Sequence, residues 1–416
     1  MSVEYSIKTA KGRRKKMQYP VYAEKVINRL EERGYEAYIV GGSVRDLLLG
    51  KEPHDYDVTT SALPEQTLNV FSDFRTIPTG LAHGTVTVIS DGEPIEVTTF
   101  RVDGEYLDCR RPESVNFTDD ITADLSRRDF TVNAMAYSKK RGIVDAFGGR
   151  DDLLRRVIRA VGEPRIRFSE DALRIMRAFR FSAQLGFSID EATLSAAYDM
   201  KAGLSKIATE RIAAEFIRTV CSPSPEEALR LMSEGGIFEY ITGDYTPTAE
   251  LINTLGRSKP LSHVRLGILL SPLKKEGARE VLSALKLSNK LISEASRIAA
   301  ALSEGQLEGS PADARRFIGS LGALAEDALD AARVIGILDP DFEASVRRSI
   351  EKKECSTGSE LAINGGDLVK LGAKGREVGE ILAYLLERVI EDPSKNEREI
   401  LCAIASDKLK NPAAKE

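Results

Sequence analysis

Two aspartates, Asp55 and Asp57, stand two positions apart in the run H-D-Y-D-V at 54–58. On an extended strand that spacing points both carboxylates to one face. Such a pair can hold two divalent cations side by side, as phosphoryl-transfer chemistry requires. A D-x-D alone also describes many surface loops. Here it follows an apolar run, Tyr38-Ile39-Val40, and a glycine pair, Gly41-Gly42. Ser43, Arg45 and Asp46 then open a helical pattern. A glycine turn before a helix offers backbone N–H groups that can cradle phosphates, and Gly42 stands there. Arg45 adds a fixed positive charge beside it. An ordinary tight turn has the same composition. Strand, glycine turn, helix start and paired carboxylates together make a candidate nucleotide-polymerising site.

Three further groups carry chemistry. Glu96 lies on a second strand pattern, as a third metal carboxylate or as a solvent-facing strand residue. In Leu125–Ala136 a helical reading puts Asp129 and Asn133 on one face, with Arg128 beside them. Arg128 then reaches a phosphate or sugar and the other two a ribose hydroxyl, or all three cap a first turn. In Ser169–Phe181, Ser169 reads as an N-cap, and Glu170 and Asp171 favour the helix dipole. That leaves Arg174, Arg177 and Arg180 unexplained. Asp171 and Arg174, at i and i+3, set an acceptor beside a forked donor. Cytosine and adenine each present an amino donor next to a ring-nitrogen acceptor; uracil and guanine present the reverse. The pair therefore suits C and A, and a good bidentate contact discriminates by roughly 1–3 kcal/mol.

The elements that must position these residues fall into two regimes. Residues 21–34, 43–50, 64–72 and 122–137 read as helices. Thr85–Ile89 and Ile95–Phe100 flank Asp91-Gly92, a strong hairpin signal. After about residue 150, apolar residues recur at helical spacing, as in Ile212, Ala213, Phe216, Ile217 and Val220, or Val378, Ile381, Leu382, Leu385, Leu386 and Val389. The expected architecture is an α/β head followed by an all-helical remainder.

Composition bounds the function. The 416 residues are 42% hydrophobic and 30% charged, with net charge −5. That length suits two to four domains. No apolar run approaches a membrane span, so no membrane partner is expected. Cys109, Cys221, Cys355 and Cys402 are scattered, which suits free thiols and a cytoplasmic location. Only three histidines occur, His54, His83 and His263, too few for a histidine-rich hydrolase centre. Nine arginines against five acids between 150 and 180, and the basic run Lys8–Lys16, suit a bound polyanion or simply solvated helix faces.

The longer motifs resemble the class II CCA-adding tRNA nucleotidyltransferases, kin of bacterial poly(A) polymerases. They are G-G-S-V-R-D at 41–46, D-Y-D at 55–57, R-R-D-F-T-V-N-A-M-A at 127–136, F-G-G-R-D-D-L at 147–153, E-D-A-L-R-I-M-R-A-F-R-F at 170–181 and E-R-I-A-A-E-F at 210–216. The match is specific over about 36–220 and looser beyond, where N-G-G-D-L at 364–368 fits. The resemblance implies a polymerase-β-like mixed-sheet head (1–155), and a helical neck (156–225), body (226–350) and tail (351–416) that binds tRNA. It implies Mg²⁺ on Asp55 and Asp57, triphosphate contacts from Gly42 and Arg45, and a nucleotide contact from Arg128. Asp171 and Arg174 become a protein template for C and A, with Arg177 and Arg180 completing the pocket. The implied partners are tRNA, CTP and ATP. Residues 101–113 resemble the loop needed for the final A, and Thr79–Gly84 resembles the CCA side rather than the poly(A) side. The rivals are an A-adding or poly(A) enzyme, an RNA-binding protein with an inactive head, and a transferase acting on proteins or small molecules.

Overall fold

The computed structural model describes residues 6–8, 14–103 and 115–410. Most of the 101–113 loop, including Cys109, and part of the Lys8–Lys16 run lie outside the described residues. The chain separates into two compact units, Met1–Thr246 and Pro247–Glu416.

The first unit opens on a short antiparallel pair, β1 (Ser6–Lys8) and β2 (Arg14–Lys16). Helix α1 (Val21–Glu32) buries Ala23, Val26, Ile27 and Leu30, the stripe expected of an amphipathic helix. Then come β3 (Ala37–Val40), α2 (Gly42–Leu48), β4 (Val58–Thr60), α3 (Pro64–Val70), β5 (Arg75–Gly80), β6 (Thr85–Ser90) and β7 (Glu93–Thr99). A second short pair, β8 (Arg101–Asp103) and β9 (Val115–Phe117), precedes α4 (Ile121–Ser126). Strands β10 (Ala136–Ser138) and β11 (Gly142–Val144) complete a seven-stranded sheet of order β11-β10-β3-β4-β7-β6-β5. Only β4 and β7 run parallel; the other ladders are antiparallel. Every residue of central β3 is buried, whereas β6 alternates. The β6–β7 hairpin turns at Asp91 (φ 53) and Gly92 (φ 88), as the Asp-Gly signal predicts.

Next come α5 (Gly149–Arg155), β12 (Val157–Ile158), α6 (Pro164–Glu170), α7 (Leu173–Leu185), β13 (Ser188–Ile189), α8 (Glu191–Met200) and α9 (Thr209–Val220). The expected all-helical neck thus carries one small exception, the parallel pair β12–β13. Helix α9 buries Ile212, Ala213, Phe216 and Val220, as its periodicity predicts. The second unit holds helices and no strand among its described residues. Its last core gathers Ile381, Leu385 and Val389 from the predicted stripe, with Val378, Leu382 and Leu386 against them.

Two helical expectations fail. The helix expected over 122–137 stops at Ser126 and is followed by a 3₁₀ turn at Thr131–Asn133 and by β10. Asp129 and Asn133 accept from Arg177 and Arg45, tertiary bonds that hold the chain off the helical path. The helix expected from Ser169 instead splits at Asp171, whose backbone is extended (φ −142, ψ 104). Ser169 lies in the last turn of α6 and its hydroxyl donates to the Ile166 carbonyl. Helix α7 starts after Ala172, and the Asp171 carboxylate just before it accepts the Leu173 N–H at 3.0 Å.

Candidate active site

Asp55 and Asp57 precede β4 rather than lying within it, but the chain there is extended. The Val40 N–H still donates to the Asp57 carbonyl at 3.1 Å, so the β3–β4 ladder reaches the motif. Tyr56 and Val58 are buried while Asp55 and Asp57 face outward. The period of two therefore holds, and both carboxylates open on one side. Glu96 joins that side: β7 pairs Val97 with Val58, which places Glu96 across from Asp57 on the outer face. The Asp57 carboxyl is pushed up to about 6. Crowding by protein atoms contributes most, then the Asp55 and Glu96 charges, with Arg128 opposing. Among the described residues no three His, Cys, Asp or Glu side chains form a ready metal-binding group. A carboxylate pair with open positions nonetheless suits Mg²⁺, which keeps waters and takes phosphate oxygens from its substrate.

The glycine turn is shaped by Gly41, which has φ 74 and whose added Cβ would stand 3.1 Å from Arg128 Nη1. Gly42 begins α2 beside Arg45. Arg45 is only 5% exposed. Its guanidinium is already bound to both Asp46 oxygens, at 2.9 and 3.0 Å, and to Asn133 Oδ1 at 2.8 Å. The free charge expected of Arg45 is therefore largely answered from within the protein.

A chain of bonds runs from that turn into the neck. Asn133 Nδ2 donates to Asp129 Oδ1 at 3.1 Å, and Arg177 Nε donates to Asp129 Oδ2 at 2.8 Å. Asp129 and Asn133 thus do meet, without a shared helix face. Burial is the largest influence on Asp129 and would raise its pKa. Arg177, Asn133 and the Phe130 N–H together outweigh it and hold the carboxyl down at about 2. Arg180 binds Glu215 and Gln184. Phe181 is ringed by Arg45, Arg177 and Arg180, whose guanidinium carbons lie 5.4, 5.3 and 3.8 Å from its centroid.

Gly149 explains the F-G-G-R-D-D-L run. A Cβ there would stand 2.3 Å from the Thr131 carbonyl, so the start of α5 presses against the turn that carries Asn133. Asp152, also in the run, accepts from the Thr131 hydroxyl at 2.7 Å.

Two adjoining cavities result. One of about 800 Å³ is lined by Gly42, Arg45, Asp55, Asp57, Arg177 and Arg180, among others. One of about 270 Å³ is lined by Asp171, Arg174, Arg127 and Arg211. Arg128, Asp129 and Arg177 border both. The side chains of Asp171 and Arg174 are each held by other groups rather than by one another. Arg174 donates to Glu170 at 2.6 Å and to the Arg127 carbonyl at 2.9 Å; Asp171 accepts from Arg211 at 3.1 Å. The second unit has its own groove of about 510 Å³, but its Arg316 is answered by Asp313, Glu387 and Glu391.

Some of this assembly escapes the sequence reading. Asp124, fully buried, holds Arg127 and Arg128 from positions i−3 and i−4, a spacing that could have exposed it. Glu215 sits within the apolar stripe of α9, and an acid among core positions signals a buried partner. Arg211 lies in the E-R-I-A-A-E-F motif at 210–216 without a role read for it, and Arg218 carries no comparable signal.

Residues 37–159 match the poly(A) polymerase head domain, 186–246 the RNA and SrmB-binding site of polymerase A, and 264–405 domain 2 of tRNA nucleotidyltransferases. A CCA-adding enzyme of Geobacillus kaustophilus is 39% identical over 91% of this chain and 94% of its own. One from Limosilactobacillus fermentum is 38% identical over 93% and 97%. The solved Bacillus stearothermophilus CCA-adding enzyme in complex with CTP superposes with a TM-score of 0.80 at 34% identity, over 94% of this chain and 98% of the other. A Thermotoga maritima CCA-adding enzyme, 24% identical with TM-score 0.67, shares the fold. Identity at this level over more than nine-tenths of the chain makes it a member of the CCA-adding enzyme family.

Proposed function

We propose that the chain adds C, C and A in turn to the 3′ end of tRNA, taking CTP and ATP and releasing pyrophosphate. One observation carries this reading: the cavity onto which the paired carboxylates open adjoins the cavity faced by Asp171 and Arg174. A nucleotide spanning the two sets its phosphates by Asp55 and Asp57 and its base by the reading pair.

The primer 3′-hydroxyl attacks the α-phosphate in line with the departing pyrophosphate. Asp55 and Asp57 would hold Mg²⁺, which would supply the charge that favours ionisation of the hydroxyl and stabilises the leaving oxygen. Arg128, bordering both cavities, neutralises phosphate or sugar-side charge. Arg177 and Arg180, fixed by Asp129 and Glu215, wall the nucleotide in. Gly42 lets the chain approach the phosphates, and Arg45 acts mainly by bracing the turn. Asp171 accepts from the base's amino group and Arg174 donates to its ring nitrogen. Arg174 is already oriented by Glu170 and a backbone carbonyl, so little ordering remains when the base arrives. The head, neck, body and tail partition at 155, 225 and 350 is retained as a proposal, with tRNA along the body and tail. No helix of the described residues is long and apolar enough to cross a membrane. The cytoplasm is the proposed location, on the free thiols and a tRNA substrate.

The test is stepwise extension of a tRNA lacking its 3′ end, with each nucleotide alone and then CTP with ATP. The expected result is two C additions, one A and a stop. A alone on tRNA ending in CC means an A-adding enzyme, and a long A ladder means a poly(A) polymerase. Substituting Asp171 or Arg174 relaxes base choice more than it weakens tRNA binding; unchanged C and A preference removes the template role.

A further inference from the structure

Arg211 projects from α9 onto the reading pair. Its Nη2 donates to Asp171 Oδ2 at 3.1 Å, and its Nη1 is buried with no partner among the described residues. It lines the 270 Å³ cavity together with Asp171 and Arg174. A buried guanidinium nitrogen without an acceptor is costly, and the side chain that carries it lines a space of ligand size. The Asp171 carboxylate has one oxygen on the Leu173 N–H and the other on Arg211. Around Asp171 the cavity therefore presents a donor in Arg174, an acceptor in Asp171 itself and a further donor in Arg211.

The two accepted bases differ next to the amino group that Asp171 receives. Adenine carries a ring acceptor, N7, on the side away from the nitrogen that Arg174 reads. Cytosine carries a C–H there and has no acceptor to offer. We propose that Arg211 is a specificity-determining residue: one prong of its fork positions Asp171, and the other donates to adenine N7. This rests on the base-reading role of Asp171 and Arg174 and deepens it. Cytosine is read by two groups and adenine by three. The added contact gives the pocket a means of telling ATP from CTP that Asp171 and Arg174 alone lack.

The test compares CTP, ATP and 7-deaza-ATP, in which N7 is replaced by C–H, on tRNA ending before the appropriate addition. The full-length chain should prefer ATP to 7-deaza-ATP by about tenfold in kcat/KM, the scale of one good base contact. Arg211→Ala should lower use of both CTP and ATP, because Asp171 loses its holder, and should abolish the distinction between ATP and its 7-deaza form. Arg211→Lys keeps one point donor for Asp171 but no fork. It should recover CTP addition to within a few-fold while staying indifferent to N7. Equal use of ATP and 7-deaza-ATP by the unsubstituted chain overturns the proposal. So does an Arg211→Lys variant that keeps the full N7 preference, or an Arg211→Ala variant in which that preference persists. Asp171→Ala separates the two levels. If it leaves C and A selectivity intact, the base-reading assignment fails. If it relaxes selectivity while N7 proves irrelevant, only the role of Arg211 fails.

Discussion

Asp57 shows how function and stability oppose each other at a single residue. Its folded pKa of about 6 lies above the usual carboxylate range, so the folded state disfavours the charge that metal binding needs. Ionised Asp57 therefore costs stability, and that cost is present above about pH 6 and fades as protonation sets in below it. Asp57→Asn should leave the thermal midpoint at pH 8 unchanged or higher. It should lower nucleotide incorporation by a factor on the order of 10²–10³ or more, the scale seen when one preorganised charge-stabilising group is lost. A variant that unfolds readily, or turns over normally, contradicts this. The acid side of the pH–rate profile should fall near 6 at limiting Mg²⁺, and move to lower pH as Mg²⁺ is raised, because metal and proton compete for one carboxylate. Glu96→Gln removes one of the charges that raise Asp57, so that limb should move down as well. A limb insensitive to both changes assigns it to another group. The D-x-D pair was legible because strand alternation is a short-range rule. The bond from Arg45 to Asn133 was not, because that partner lies 88 residues away.

Elements are tied together here by buried ion pairs, and Asp129 is the knot. It joins the glycine turn, through Asn133 and Arg45, to α7, through Arg177. Asp129→Ala leaves Arg177, half-buried on the cavity wall, without its partner and should cost about 1–3 kcal/mol, the penalty of a lost charge-assisted hydrogen bond. Urea unfolding followed at neutral pH measures it; a loss below ~1 kcal/mol would show that Arg177 finds another partner. The pair also sets an acid response. Asp129 titrates at about 2 when folded and near 4 when unfolded, so its stabilisation is full above about 4 and disappears as pH falls through about 2. The β6–β7 hairpin and the α1 and α9 stripes were readable from sequence because each follows from residues within one element. The stop at Ser126 and the break at Asp171 were not. Both occur where side chains prefer a distant partner to the local helix, and periodicity carries no information about that preference.

On the scale of the whole chain, composition and packing place boundaries differently. Strand signals fade near residue 150, yet the compact unit runs to Thr246. Secondary-structure content changes where the sheet ends. The unit continues because Asp129, Glu215 and Asp171 receive arginines from α7 and α9, and because the Thr131 and Val161 amides bond across the join. Every predicted site residue, and both cavities they line, fall before Thr246. Nucleotide recognition and RNA holding should therefore be separable. A fragment ending at Thr246 should bind CTP and ATP with Mg²⁺, seen as a concentration-dependent rise in its thermal midpoint. Its kcat/KM for tRNA should drop far more than its apparent affinity for nucleotide, because the polyanion contacts proposed for the body and tail are gone. Those contacts release counterions, so the intact chain should show a steep salt dependence for tRNA that the fragment lacks. A fragment that folds but ignores nucleotide would place part of the nucleotide site in the second unit. A fragment with an unchanged salt slope would place the RNA-binding charge in the first, on the arginine-rich stretch between 150 and 180.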